Sequence, residues 1–572
     1  MSHNWNLPNK IKQDFLDKFS ELDPIVVQLL YNRDLKTQEQ IDEFLNPDYG
    51  EDIHDPFLFT DAKKACQRIY QAIDKQELIT IYGDYDADGV SAAVILNSIL
   101  KVLGAKVETF LPHREKEGYG LNMRAIEELV ENKTKLIITC DCGVSNIEEV
   151  DLANKNKVDV IITDHHAVPE KLPQAYAIIH PQVDKQYPWK TLAGGGVAFK
   201  LAQALLLSPE NKLSDQEKET NEKWLLDLVA ISTVADMVPL LGENRTLLKY
   251  GMTVLKKTKR LGLQKLLEVA RLDPGKIDAR TIGFSIAPRI NAAGRMDHAN
   301  LAYYLLIETD AKKAENLANN LNQSNLDRQK LTEQTVRQAK IQDVDVKDSL
   351  LTFYQEDWPA GLTGLVAGRL SREHNRPCLV MTRVNGLVVG SGRSIKGFDI
   401  VQALQKNKKL LEKFGGHPQA CGFSFEQKNM DAFVSSMKKI AGQELEGEKF
   451  QKSLDIELEI NFENISWTIV DLLDKFRPFG QANPEPLFVS NDISVTSARK
   501  VGADQKHWKL ELVKGNKKLG AIGFGLGKMK LEIGDKIDVV YNLNINEWNG
   551  NREIQLNIKD IRSASKLKVE SK

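Results

Sequence analysis

The sequence predicts an α/β protein of several domains: a parallel-sheet domain, a long connecting helix, a second α/β domain and a C-terminal β-barrel. Three observations carry this. Short apolar runs alternate with helically spaced segments between about residues 60 and 200. A long, mostly polar helical stretch occupies 306–342, and residues 490–562 offer strand-like runs punctuated by turn signals. At 572 residues, and roughly 100–200 residues per domain, the chain is too long for one core.

Residues 1–50 read as short helices with a polar surface, ending in the turn cluster Asn46-Pro47-Asp48-Tyr49-Gly50. Ala62–Asp74 has helical spacing and Leu78–Tyr82 is a short apolar run. The helix 90–103 and strand 107–111 follow, then the apolar runs 135–140 and 158–163. Such alternation indicates βαβ units and a mostly parallel sheet. In 306–342, Ala314, Leu317, Ala318 and Leu321 recur at helical spacing on an otherwise polar segment, so this helix reads as a bridge between domains. Beyond it, 349–354, 378–383 and 386–390 read as strands, and Arg477–Pro486 as a linker. The tail offers runs at 493–501, 508–513, 518–524, 536–548 and 552–561, with Gly515-Asn516 and Asn549-Gly550 as hairpin signals. Five such runs suit a small barrel of the oligonucleotide-binding (OB) type.

Charge and cysteine content narrow the function. Lys and Arg total 77 against 79 Asp and Glu, a net charge of −2, which excludes a uniformly basic nucleic-acid coat but not a local basic groove. Residues 490–562 carry 13 Lys/Arg and 9 Asp/Glu, so this segment is positive. Five scattered cysteines argue against a disulfide framework. With no apolar h-region at the start and no long apolar run, the expectation is a cytoplasmic protein without a membrane segment.

The chemistry concentrates at strand ends. Leu78–Tyr82 runs into Gly83-Asp84-Tyr85-Asp86-Ala87-Asp88-Gly89, 135–140 into Asp141-Cys142-Gly143, and 158–163 into Asp164-His165-His166. In a parallel sheet those carboxyl ends lie side by side. Several carboxylates crowded together repel, so they must be protonated or hold cations. Oxygen ligands with imidazole suit Mn²⁺, with Mg²⁺ as a substitute, and shared ligands point to two divalent ions roughly 3.5–4 Å apart acting on a phosphodiester. The rival readings are weaker. An EF-hand loop starting at Asp84 would need Glu where Ile95 stands and a helix before it. Zinc at Cys140 and Cys142 lacks a second Cys pair at finger spacing. Gly194-Gly195-Gly196 lacks the Lys-Ser/Thr ending of a P-loop and reads as a helix start. Capping of the following helices would explain one acidic loop, not three with paired histidines.

Asp164-His165-His166 resembles the signature triplet of the DHH phosphoesterase superfamily, and Gly83–Gly89 its first motif. Asp141 sits in what resembles the second motif, and Val234-Ala235-Asp236-Met237-Val238-Pro239-Leu240, with Glu243-Asn244-Arg245, the fourth. Together with Arg289–Met296 and Gly415–Gly422, these stretches resemble the single-strand-specific exonuclease branch of that superfamily from about residue 50 to the C-terminus. One departure is Cys421 where the family has Ala, a small apolar exchange.

The resemblance implies Asp84, Asp86, Asp141, His165 and Asp236 as metal ligands. His166 would contact the scissile phosphate or assist the leaving group, with Asp141 and His165 as its catalytic companions. Asp88 and Asp164 would be outer-shell or capping residues. Ser391 and Arg393, in the small-residue loop Gly390-Ser391-Gly392-Arg393-Ser394, and Arg114 would hold a 5′-terminal phosphate, Arg289 and Arg295 would line the channel, and His417 would add a donor beside the glycine loop Gly415-Gly416. Trp508, Phe524 and Trp548 are candidates for base stacking, with core packing as the alternative for each. The implied activity is 5′→3′ hydrolysis of single-stranded DNA in repair and recombination, with a single-strand-binding protein and an unwinding helicase as implied partners. Alternatives are a phosphodiesterase for short oligoribonucleotides or dinucleotides, and a non-catalytic scaffold. The expected division is an N-terminal helical segment 1–55, a DHH domain 56–305, the helix 306–342, a DHHA1-type domain 343–450, an OB-fold domain 451–565 and a tail 566–572.

Overall fold

The computed structural model describes residues 3–114, 117–445, 450, 452–548 and 550–564. The chain divides into two compact units, residues 48–450 and residues 1–47 with 451–572.

In the first unit, the helix α1 (Ala62–Asp74) leads into β1 (Leu78–Tyr82), α2 (Ala87–Val102), β2 (Lys106–Phe110), α3 (Met123–Glu131), β3 (Thr134–Cys140), α4 (Ile147–Lys155), β4 (Asp159–Thr163) and β5 (Ala177–Ile179). The five strands form a wholly parallel sheet in the order β2-β1-β3-β4-β5. Ile79, Ile81, Leu136 and Ile138 face the core formed with α1, α2, α5 (Gly194–Leu207) and α6 (Asp215–Ala235). Ile137, Val160 and Ile162 face the other side, where α3 and α4 pack. Both faces are covered, which is why these strands read as continuous apolar runs. The short β5 carries too few residues to announce itself in sequence.

The helical pattern at 306–342 is two elements. Asn300–Ile307 ends where Glu308 turns extended, and Asp310 caps a new helix, α9 (Ala311–Lys340), by accepting from Lys313 N. Between α6 and α9 lie α7 (Gly242–Leu255) and α8 (Ala287–Met296). Far from being only a bridge, α9 buries Ala314, Ala318, Leu321, Asn325 and Val336, and packs on α8.

A second sheet comprises β6 (Leu351–Tyr354), β7 (Cys378–Val384), β8 (Leu387–Arg393), β9 (Lys413–His417) and β10 (Ala420–Glu426), in the order β9-β10-β8-β7-β6. This corrects the expectation of glycine loops at 390–394 and 415–417: both are strand ends. A side chain at Gly390 would meet the Phe423 ring at 2.5 Å, and one at Gly392 the Cys421 sulfur at 2.6 Å. Those glycines make room for neighbours on β10 rather than for a turn. The helix α10 (Thr363–His374) packs on β7 and β8.

The second unit contains β11 (Phe488–Val501), β12 (His507–Lys514), β13 (Lys517–Gly523), β14 (Lys536–Trp548) and β15 (Asn551–Ser563). The order β11-β12-β13-β15-β14, with β14 pairing back onto β11, closes a five-stranded barrel. Residues 1–47 belong to this unit: Asn4–Asn6 pairs in parallel with Ser453–Asp455, and Arg33 forms a two-point ion pair with Glu457 at 2.5 and 2.9 Å. The segment 477–486 is packed rather than a linker. Asn483 is fully buried and donates to the carbonyls of Phe476 and Pro478. Trp508 is buried in the barrel and Phe524 is exposed. The Trp548 side chain and the tail 566–572 lie outside the described residues. Among the described residues, no helix is long and apolar enough to cross a membrane.

Candidate metal centre and phosphate-binding cleft

The strand order reverses between β1 and β3, so a crevice opens at their carboxyl ends. Asp84 leaves β1 on one side of it, Asp141 leaves β3 on the other, and Asp164 follows β4 beside them. Tyr82 pairs with Thr139 and Cys140 with Thr163, so the three strands end level. Asp141 takes a left-handed backbone, φ 62°, and donates its N–H to the Thr163 carbonyl at 3.0 Å. That bend turns its carboxylate into the crevice.

The acids and histidines converge there. Ligand atoms lie within 4.8 Å of one another in each of three sets: Asp84, Asp86 and Asp141; Asp141, His165 and His166; Asp88, His165 and Asp236. His165 Nε2 is 3.0 Å from Asp141 Oδ1 and 3.7 Å from Asp88 Oδ2, while its Nδ1 is 3.6 Å from Asp236 Oδ2. Asp84, Asp88, Asp141 and Asp164 are buried, and Asp86, His165, His166 and Asp236 are half-buried. Asp236 arrives from the C-cap of α6, followed by Met237 at φ 58°.

Burial dominates the electrostatics. It raises the Asp84 carboxyl to about 8, helped by Asp86. Burial first, then Asp88 and Asp86, pushes Asp141 and Asp236 well above the usual carboxylate range. His165 is lowered by burial despite the neighbouring acids. Asp164 runs the other way. Burial alone would raise it, but the hydrogen bond and charge of His166 outweigh that and hold it at about 2. Burial would lower His166, yet Asp164, Asp236 and Asp84 together raise it to about 9.

A surrounding layer fixes this geometry. His166 Nδ1 lies 2.8 Å from Asp164 Oδ1 and 2.8 Å from the Tyr119 hydroxyl, which donates to the Asp141 carbonyl at 3.2 Å. Asp164 also accepts from the N–H groups of Val144, His165 and His166. His180 Nδ1 accepts from Gln182 and Val183, so its Nε2 is the donor to the His166 carbonyl at 2.9 Å. Asp88 accepts from Gly194 N and Gly195 N at 2.8 Å, and from the Ser232 hydroxyl at 2.5 Å. The triple glycine is thus the N-terminus of α5 set against this acid. A Cβ on Gly194 would lie 2.7 Å from Asp141 Oδ1. Asp86 caps α2, accepting from Asp88 N and Gly89 N. Asn291, on α8, accepts from Ala87 N at 2.8 Å. Tyr119, His180, Ser232 and Asn291 were not expected from sequence; only Asn291 stood inside a motif.

The arginines gather beside the centre. Arg114 lies over the Tyr85 ring at 4.0 Å, and its Nε is buried without a hydrogen-bond partner among the described residues. Arg295, on α8, donates to the Gly361 carbonyl at 3.1 Å. Burial first, then the charges of Arg114, Arg328 and Arg393, lowers Arg295; the Gly361 it contacts lies three residues before Gly364, where a Cβ would be 3.0 Å from the Arg393 guanidinium. Arg393 donates to the Gly392 carbonyl, and Ser391 Oγ lies 2.9 Å from Thr363 Oγ1. Arg289 is held by Ser285 O and Asn322 at the other end of α8, away from Arg295. His417 is exposed at the end of the edge strand β9. Arg328 was not expected from the sequence.

The donor set fits divalent cations. Asp84 Oδ1 is buried with no hydrogen-bond partner among the described residues, an atom that only a cation or a proton would satisfy. Oxygen and imidazole ligands are those of Mn²⁺ and Mg²⁺ sites. Glu243 lies outside that set: it is fully buried and paired with Lys200 at 2.6 Å, and it accepts from Tyr187.

Residues 78–233 match the DHH family, N-terminal domain; 347–443 match the DHHA1 domain; 456–560 match the RecJ OB domain. The chain is 37% identical over 562 residues to the single-stranded-DNA-specific exonuclease RecJ of Bacillus subtilis (strain 168), covering 97% of this chain and 70% of that one. It is similar to the crystal structure of Thermus thermophilus RecJ in complex with Mn²⁺, with a TM-score of 0.84 and 27% identity over 98% of this chain and 79% of that one. Against the Mg²⁺ complex of the same protein the TM-score is 0.78 at 26% identity, over 98% and 78% of the two chains. With three domain matches in order and a relative of this identity along nearly its whole length, the chain belongs to the RecJ family of single-stranded-DNA-specific exonucleases.

Proposed function

We propose that the chain hydrolyses single-stranded DNA to nucleotides from the 5′ end, at a centre of two divalent ions with Mn²⁺ preferred. The observation that carries this reading is the convergence of Asp84, Asp86, Asp141, His165 and Asp236 on one rim, with Asp84 Oδ1 buried and without a hydrogen-bond partner among the described residues. Those five residues would hold the ions. Bound there, divalent ions lower the pKa of the attacking water and stabilise charge on the scissile phosphate.

The remaining steps belong to the chain's own side chains. His166 gives Nδ1 to Asp164, so Nε2 is the nitrogen that reaches a phosphate oxygen or protonates the leaving group. Against the effect of burial, the hydrogen bond and charge of Asp164, which is not among those ligands, favour the protonated imidazole. Arg114, Arg295, Arg393 and Ser391 receive the 5′-terminal phosphate, which guanidiniums bind bidentately. An end pocket beside the hydrolytic centre accounts for starting at a terminus. The chain's work lies with DNA in the cytoplasm.

Degradation of an end-labelled single strand with and without Mn²⁺ tests this, scoring polarity and dependence on the end phosphate. Asp141→Ala should abolish hydrolysis while strand binding survives. Turnover by Asp141→Ala equal to the wild type would defeat the assignment, and faster turnover of a dinucleotide than of a long strand would favour a short-oligonucleotide phosphodiesterase.

A further inference from the structure

The residues before α8 form one turn of π-helix, Ile282–Ile286, a geometry found mostly as single turns at functional sites. Ile282 and Ile286 are buried, so the turn holds Phe284 outward, where it is 79% exposed. The Arg280 guanidinium lies 5.9 Å from the Phe284 ring, and Arg289 donates to the carbonyl of Ser285 next to it. An exposed ring with one guanidinium beside it and a second on the carbonyl of the next residue is the composition of a single-strand stacking platform, the ring meeting a base and the cations the backbone.

Its position along the helix gives it a direction. A Cβ on Gly283 would lie 3.4 Å from Val234, two residues before Asp236. Asn291 accepts from Ala87 N at the start of α2, between Asp86 and Asp88, and Arg295 donates to the carbonyl of Gly361, three residues before Gly364, where a Cβ would be 3.0 Å from Arg393. The segment from 283 to 295 therefore runs past the whole centre, roughly 15–18 Å at the helical rise. Arg295 stands at the end-phosphate side and Phe284 at the opposite side.

Resting on the function proposed above, we propose that Phe284, with Arg280 and Arg289, stacks a base of the incoming strand on the 3′ side of the scissile bond. Binding there lets a long strand, but not a trinucleotide, use the platform.

The test uses the full-length protein with Mn²⁺ and 5′-phosphorylated substrates, and reads kcat/KM for a thymidine 20-mer relative to a trinucleotide. Base stacking is worth about 1–3 kcal/mol, so Phe284→Ala should lower that ratio about tenfold, and Phe284→Tyr should restore it. A second readout needs no metal: in EDTA, the added fluorescence of Phe284→Trp over the wild type should be quenched by the 20-mer. A ratio unchanged in Phe284→Ala, or no quenching in Phe284→Trp, overturns the platform while the exonuclease reading stands. A wild type that leaves the 20-mer intact overturns both.

Discussion

Asp141 Oδ1 lies 3.0 Å from His165 Nε2, joining the carboxyl ends of β3 and β4 across 24 residues of chain. The pair is the hinge of the centre, because each belongs to two of the candidate ligand sets. The contact is a hydrogen bond between a carboxyl group and an imidazole that burial drives toward their uncharged forms.

Cation binding should therefore release protons. Asp84 is raised to about 8, so at and below neutral pH it keeps a proton that a cation must displace, and Asp141 and Asp236 are raised in the same direction. Apparent Mn²⁺ affinity should climb with pH through 8, about tenfold per pH unit for each proton released. Calorimetry at several pH values, in two buffers of different ionisation enthalpy, checks this. Heats that do not depend on the buffer would contradict it.

Gly194→Ala should damage activity without unfolding the protein. The new Cβ would press on Asp141, and a displacement near 1 Å at a reacting centre costs on the order of 100-fold. An unchanged circular dichroism spectrum with kcat down by that order is the expected pair of results. Wild-type kcat would show that Asp141 can shift freely.

The Asp164–His166 pair should stabilise the protein within a defined pH window. Asp164 is depressed to about 2, so its contribution is present above the unfolded value near 4 and is lost as pH falls toward 2. His166 is raised to about 9, so its contribution is full below roughly 6.5 and is lost as pH rises through 9. Removing Asp164 leaves the half-buried His166 without its charged hydrogen-bond partner, at a cost of about 1–3 kcal/mol. In EDTA, Asp164→Ala should lose about that much at pH 6, and the gap to wild type should narrow by pH 10. Thermal or urea denaturation at both pH values measures it; a gap of the same size at pH 10 would mean the pair's charge contributes nothing.

Arg393→Lys keeps the charge and loses the planar fork. The preference for a 5′-phosphorylated over a 5′-hydroxyl strand should fall by roughly tenfold, as expected for loss of a bidentate phosphate contact. Rates on the two labelled strands give the ratio directly. An unaltered preference would move the end-phosphate pocket away from Arg393.

Local pattern was enough for the elements and for the acids. Ala62–Asp74 and Leu78–Tyr82 occur as read, and all five barrel strands fall on their predicted runs, because period and turn residues are local properties. The strand-end acids were legible for a related reason: parallel strands put their carboxyl ends on one edge whatever their separation in sequence.

What lay outside local pattern was decided by packing. Gly390 and Gly392 looked like loop residues, yet they are strand positions vacated for Phe423 and Cys421 on the next strand. The pairing of Asn4–Asn6 with Ser453–Asp455, and of Tyr119 and His180 with His166, joins distant segments that carry no mutual signal. By itself the sequence determined which acids and histidines emerge at the carboxyl ends of the strands. Only the tertiary structure decided which carboxylates share an ion-sized space, which of them accept hydrogen bonds instead, and which arginines stand together. Those outcomes depend on distances of a few ångströms between segments whose approach is set by the whole core.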